Sequence, residues 1–436
     1  MKFFDIVIVG AGPAGLAAAH AAAYQAPAAG KAAGSAPGIN QSLHICVIDD
    51  NPYAGGQIWR GGPQQQDDTR AQRLWRELQA APNVIFMHQS RVQYAPAPGM
   101  LLVQGPEDAV TLRYNRLVLA TGAREHLLPF PGWTLPGVSG AGGLQALAKG
   151  GYPVQGKRVV VAGSGPLLLA VAATLKAKGA IIAAIVEQAS LPQLGRFALG
   201  LLATPAKLKQ ARQLRAQLRG VPYWSNSYVR AAHGTDRVDA VQIQRGEHIE
   251  HVPCDYLACG YGLLPNLELP MALGCSTGRA VKVDEWQQTS IGGIYCAGEG
   301  TGIGGVDLAL AEGSIAGLAA AGQAHVASPE HVYALFTERL RGRQFAQRLA
   351  RGFALRAELR QLAVDDTIVC RCEDVCHGEL RQHASWRSAK LHTRCGMGPC
   401  QGRICGGATD TLYGWRPDAV RLPLSPTRIA SIIGSE

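Results

Sequence analysis

Two groups of residues in this 436-residue chain have the types and spacing that chemistry needs. The first is a crowd of thiols near the C-terminus. Six of the eleven cysteines, Cys370, Cys372, Cys376, Cys395, Cys400 and Cys405, fall in one short stretch. In a reducing compartment such clustering points to metal ligation rather than to disulfides. Four thiolates on two short loops enclose either an iron–sulfur cluster or a zinc ion. The pair Cys370-Arg371-Cys372 supplies one loop, and the run from Cys395 through Cys400 to Cys405 supplies the other. Cys395/Cys400 and Cys400/Cys405 have the same spacing, so spacing does not choose between them. Arg371, Arg394 and Arg403 flank these thiols and either offset cluster charge or line a partner interface.

The second group is Gly10-Ala11-Gly12-Pro13-Ala14-Gly15, lying between an unbroken apolar strand and an alanine-rich helix. Gly10 allows a tight turn, Gly12 lets the backbone approach a pyrophosphate, and Gly15 lets helix and strand pack closely. The helix N-terminus then faces the phosphates. Asp49 ends the next strand, beside Asp50, where a ribose would accept a carboxylate partner. Its distance from Gly15 exceeds the usual spacing of about 20 residues, and a loop over 25–42, without hydrophobic period, explains the excess. A second strand and glycine turn occur at Arg158 to Gly165, but Leu168 stands where a third glycine or an alanine would pack. NAD(P) there stays open, as does a ribose role for Glu187. Cys46, Cys254, Cys259, Cys275 and Cys296 contain no CxxC pair, which argues against thiol–disulfide chemistry. No convincing substrate-binding arginine or general base is found, so no catalytic residue is assigned.

These motifs need a scaffold of parallel strands and covering helices. The composition suits one: 47% hydrophobic residues, 53 glycines and only 17% charged residues describe an α/β enzyme of several domains. The formal charge of +10 is scattered rather than gathered into lysine-rich runs with aromatics, so no nucleic-acid partner is expected. An acidic residue interrupts the first apolar run, and no run approaches the roughly 20 residues of a membrane helix. A cytoplasmic protein without a membrane span is expected, held at an inner membrane face only through partners. The expected domains are 1–122 and 285–327 as two parts of a first dinucleotide-binding domain, with a second inserted at 123–284. A helical connector follows at 328–365, then a thiol module at 366–412 and a tail at 413–436.

Gly55-Gly56-Gln57, Ala120-Thr121-Gly122 and the stretch from Ile294 to Gly298 and Glu299 resemble the two-dinucleotide-domain flavoproteins. That resemblance implies FAD in the first domain, held by Gly10, Gly12, Pro13, Ala14, Gly15, Asp49, Asp50, Gly56, Gln57, Ala120, Thr121, Gly122, Gly298 and Glu299. Glu299 replaces an aspartate that usually holds the ribityl chain. Adjacent flavin chemistry favours iron and sulfur over zinc in the thiol module. The module itself resembles the bacterioferritin-associated-ferredoxin-like [2Fe–2S] domain, which implies Cys370, Cys372, Cys400 and Cys405 as ligands. Cys376 and Cys395 are then small buried fillers, and Cys376 poorly caps a helix in which Glu379 stands three residues on.

The order of these parts resembles, over essentially the whole chain, one subunit of the heteromeric opine, hydroxyproline or proline dehydrogenases and of hydrogen cyanide synthase. The resemblance implies an amino-acid-oxidase-like partner that oxidises a C–N bond, with this chain relaying electrons to a respiratory acceptor. It leaves open a small third subunit and an FMN at a subunit interface. Two other readings stand beside it: a self-contained NAD(P)H-dependent ferredoxin-type reductase, and a scaffold subunit whose dinucleotide only stabilises the fold.

Overall fold

Eight residues, Lys2–Val9, form the strand β1, and its apolar run is buried because parallel neighbours flank it on both sides. The computed structural model describes residues 1–24, 39–40, 42–63, 67–324 and 326–433, so the loop expected at 25–42 lies mostly outside the described residues. The chain divides into two compact units. The first comprises residues 1–124, 265–346 and 419–436, and the second comprises 125–264 and 347–418.

In the first unit, β1 is followed by α1 (Pro13–Ala23), β2 (Ile45–Ile48), α2 (Thr69–Ala80), β3 (Val84–Met87), β4 (Arg91–Tyr94), β5 (Met100–Gln104) and β6 (Ala109–Leu119). The sheet runs β3-β2-β1-β6-β5-β4, and the strand Ile294–Cys296 returns to pair with β6. Pairings among β3, β2, β1, β6 and the return strand are parallel, whereas β4 and β5 run antiparallel. Val9 lies opposite both Ile48 and Leu119, and Leu119 lies opposite Cys296. The register thus ends four strands on one carboxyl edge, where open parallel sheets bind ligands.

Pro13 opens α1, where its missing N–H costs nothing. Small side chains let α1 bury nearly all its length against the helix Val306–Ala320. A β-carbon on Gly313 would stand 2.2 Å from the Ala14 carbonyl oxygen, and one on Gly317 would stand 2.3 Å from that of Ala18. The chain re-enters the first unit at Pro265, ahead of residue 285, because Leu269, Cys275 and Val281 share a core with Phe4, Val7 and Leu117. The tail also belongs here. Leu424 joins that core, Ser425 Oγ donates to Gln93 Oε1 at 3.0 Å, and Arg428 donates to the Pro106 and Glu107 carbonyls.

The second unit has a five-stranded parallel sheet, ordered Tyr223–Trp224, Ile181–Glu187, Arg158–Gly163, Tyr256–Gly260, Val138–Gly140. Leu168 is accommodated there, buried in a core with Val161, Val171 and Leu175. A three-stranded antiparallel sheet covers residues 227–253. The thiol module is part of this unit: Trp133 Nε1 donates to the Ile368 carbonyl at 2.5 Å, and Ile404 packs on the core of Leu257 and Tyr261. Among the described residues no helix is long and apolar enough to cross a membrane.

Gly313→Val forces α1 and the helix Val306–Ala320 apart. The expected loss is about 1–3 kcal/mol or more, read as a lower urea midpoint, and a variant as stable as the native chain would contradict this packing.

Candidate functional site: a dinucleotide cradle and a thiol cluster

The cradle begins at the carboxyl edge of the first sheet. Gly10 has φ +104°, and a β-carbon on it would stand 2.2 Å from the Ala120 carbonyl oxygen. At Gly15 the added carbon would meet the Gly10 carbonyl oxygen at 1.7 Å. Gly12 and Gly56 approach each other backbone to backbone, Gly56 at φ +61° with its added carbon 3.0 Å from Gly12 Cα. These positions leave bare backbone around the N-terminus of α1, which suits a pyrophosphate. Gly122, at φ +67°, has open space where a side chain would be. Neighbouring Thr121 is tied to Asn266, its Oγ1 donating to the Asn266 carbonyl at 3.1 Å.

Asp49 is buried and braces its own turn. Its Oδ2 accepts from the Ala11 N–H at 2.7 Å and its Oδ1 from the Asn51 N–H at 2.8 Å. Oδ1 accepts a second bond from Asn51 Nδ2 at 2.8 Å, so the capacity left for a ribose hydroxyl lies on Oδ2. Asp50 faces outward and pairs with Arg91 at 3.1 Å, and Gln57 accepts from Arg60 at 2.9 Å. The structure therefore gathers the glycines, Asp49, Ala120 and Thr121 at one edge, and occupies Asp50 and Gln57 with surface partners.

Glu299 lies on a short helical turn, Gly298–Thr301, after the return strand. Its Oε1 accepts from the Gly305 N–H at 2.8 Å, while its buried Oε2 has no partner among the described residues. Burial pushes this carboxyl above the ordinary carboxylate range. A buried acceptor without a donor is costly unless a ligand hydroxyl supplies one, which fits a ribityl chain. Glu312, 1% exposed, holds this turn and was not singled out from the sequence. Its Oε2 accepts from Thr301 Oγ1 at 2.5 Å and from the Gly298 N–H at 3.2 Å, and its Oε1 accepts from Arg343 at 2.9 Å. The available signal was a carboxylate in the middle of a helix whose only other charged residue, Asp307, lies in its first turn.

The thiol module rests on a small core of Val369, Val375, Leu380, Trp386, Ala389 and Ala408. Arg394 (φ +65°), Gly396 (+79°), Gln401 (+51°) and Gly402 (+78°) bend the second loop tightly. Gly396 has no room for a side chain, since a β-carbon would meet Trp386 at 2.6 Å, and one on Gly398 would meet Cys372 Cβ at 2.3 Å. Cys370, Cys395 and Cys405 are buried with their sulfurs all within 4.8 Å of one another. Contacts among these thiols push Cys370 and Cys400 down and, reciprocally, push Cys395 and Cys405 up, so a proton is shared unevenly within the group. Cys400 also touches the exposed Cys372.

Cys395 is therefore no remote filler: its sulfur lies in the same group as two expected ligands. Cys376 is half-buried at the edge, with its Sγ 3.5 Å from the Asp366 carbonyl. Contrary to expectation, it makes a complete capping box for the helix His377–Leu380, because a thiol serves in place of a hydroxyl and Glu379 Oε2 accepts from the Cys376 N–H at 2.8 Å. Of the three arginines, Arg394 is matched by Glu373 at 2.7 Å, Arg371 lies 5.2 Å over the Trp133 ring, and Arg403 donates to the Cys400 carbonyl.

A profile of the family described as pyridine nucleotide-disulphide oxidoreductase matches residues 4–324. The chain is 31% identical to the hydrogen cyanide synthase subunit HcnB of Pseudomonas protegens, over 96% of this chain and 95% of that protein. It is 29% identical to an opine oxidase subunit of Agrobacterium tumefaciens, over 99% of this chain and 91% of the other. Among solved structures, an L-proline dehydrogenase from P. horikoshii shares the fold with TM-score 0.68 at 19% identity, over 99% of this chain and 79% of that one.

Because the Glu299 carboxyl is raised by burial, the folded apo-chain keeps a proton that the unfolded chain releases. Its contribution to stability is present below the unfolded value of about 4.3 and is lost as pH rises through the raised value. Urea unfolding of the apo-chain against pH will show this fall, to which the buried Glu125 and Glu187 carboxyls also contribute, and Glu299→Gln will make it shallower.

Proposed function

The chain belongs to the pyridine nucleotide-disulphide oxidoreductase family, and we propose that this member is the electron-transfer subunit of a heteromeric dehydrogenase. The partner oxidises the C–N bond of an amino acid or opine, and electrons leave for a respiratory acceptor. One observation carries the reading: the relation to HcnB and to the opine oxidase protein, both named as subunits, runs through the whole chain, thiol module included. The cradle with its unpartnered Glu299 oxygen is chemically suited to FAD. The thiol group is suited to iron and sulfur, with Cys370, Cys372, Cys400 and Cys405 as the proposed holders of a [2Fe–2S] cluster.

When bound, a flavin takes electrons as a pair and an iron–sulfur cluster passes them singly, so the two together turn hydride chemistry into single-electron flow. The polypeptide's part is to bind and orient. The bare backbone of Gly12 and Gly56 lets a pyrophosphate settle on the N-terminus of α1. Glu299 Oε2 would accept a hydroxyl of the bound group, and Glu312 with Arg343 keeps the turn that carries Glu299 in place. Burial of Cys370 and Cys405 excludes water from one side of the thiol group, while exposed Cys372 opens the other side toward an electron partner.

The purified chain is expected to show flavin absorbance together with about two iron and two acid-labile sulfide per chain. A chain lacking both, or carrying zinc in the thiol site, would overturn the reading. Cys372→Ser is expected to lose iron while Cys395→Ser retains it. The reverse pattern would put Cys395 in the ligand set in place of Cys372.

A further inference from the structure

The second glycine turn repeats the geometry of the first up to the point where a ligand would bind. Gly163 has φ +143° and Gly165 has φ +100°, and a β-carbon on Gly163 would stand 1.9 Å from the Gly260 carbonyl oxygen. Glu187 is buried at the end of its strand and braces the turn as Asp49 does, accepting from the Gly165 N–H at 2.7 Å and the Ala189 N–H at 2.9 Å. In a βαβ unit of this kind a dinucleotide lays its pyrophosphate on the glycine turn and its ribose beside the end of the second strand.

Here that place is filled by the chain itself. Ser164 Oγ, on the turn, donates to the Phe353 carbonyl at 3.0 Å. Gln188, just past the strand end, donates from Nε2 to Ser164 Oγ at 2.9 Å and to the Ala354 carbonyl at 3.1 Å. Its Oε1 accepts from the Arg356 N–H at 3.1 Å, so one glutamine side chain grips the segment by both its backbone donor and its backbone acceptor. The Phe353 ring closes the mouth: a β-carbon on Gly165 would find Phe353 Cγ at 3.8 Å, and the ring stands edge-on to Phe197 at 4.9 Å. In the first unit, among the described residues, a β-carbon on the corresponding Gly12 would meet only Gly56 of its own cradle, at 3.9 Å. Beyond the grip, Leu355, Leu359 and Leu362 pack into the core of the second unit, and the thiol module begins a few residues later.

We propose that the second dinucleotide cleft is a peptide clamp: its ligand is residues 353–356 of this chain, it takes no NAD(P)(H), and it fixes the peptide that leads into the thiol module. Ser164 and Gln188 are positioning residues for that module. Both clamp and module lie in the second unit, so the clamp stands or falls independently of what the first unit binds or of where electrons go.

Hydrogen exchange read by mass spectrometry on the full, cofactor-loaded chain tests this without depending on activity. Amides in 353–356 should exchange slowly, and NADH, NADPH or ADP-ribose at about 1 mM should leave that exchange unchanged. The double variant Ser164→Ala/Gln188→Ala should speed exchange there by about tenfold or more while the strand Arg158–Gly163 keeps its protection. The same variant should retain its iron and shift the low-temperature resonance of the reduced cluster as the module loosens. Any nucleotide-dependent change at 353–356 in the native chain, or a double variant whose exchange there matches the native rate, would overturn the clamp. If the double variant fails to fold, the nucleotide experiment on the native chain decides alone.

Discussion

At residue 15 the chain passes so near its own turn that any side chain would stand inside the Gly10 carbonyl, and at residue 10 any side chain would stand inside Ala120. These two approaches bring α1, β1 and β6 to one point. With the register that ends β1, β2, β6 and the return strand together, they expose backbone donors at a helix N-terminus. Gly313 and Gly317 extend the same constraint outward, since α1 keeps its place only if the helix Val306–Ala320 lies against it backbone to backbone. Glu312, on that helix, then reaches the turn that presents Glu299. The cradle is thus a consequence of missing side chains more than of any particular polar residue.

The same device serves two ends in one chain. Both turns bend through positive-φ glycines, and both are braced by a strand-end carboxylate accepting from the turn's own backbone. What differs is the face beyond. In the first unit, among the described residues, it borders a buried oxygen without a partner, and in the second it holds hydrogen bonds from Ser164 and Gln188 to the connector. On the proposed reading, one strand–turn–helix unit offers its turn to a small molecule while the other holds the peptide that leads into the thiol module.

The strands and turns of this site were legible because their signals are local: an apolar run, then glycines where no β-carbon fits. Thiol clustering was legible for the same reason. What the sequence did not reveal depends on contacts between distant segments. Pro265 rather than residue 285 marks the return because Leu269 and Cys275 meet Phe4 and Val7 across the fold. The tail's place rests on Leu424 and Gln93, more than 300 positions apart. Cys395 looked surplus by motif, yet a loop bent by four positive-φ residues turns its sulfur toward Cys370 and Cys405. Glu312 carried a faint signal, a charge midway along a mostly apolar helix, that acquires meaning only once Gly298 and Arg343 are seen beside it.

The most direct test of the relay is freeze-quench electron paramagnetic resonance on the complex isolated from its native host, mixed with the substrate its partner subunit oxidises. The account predicts a reduced-cluster signal that appears no more slowly than turnover and decays when acceptor is added. A cluster that stays oxidised while acceptor is reduced at the full rate would contradict it.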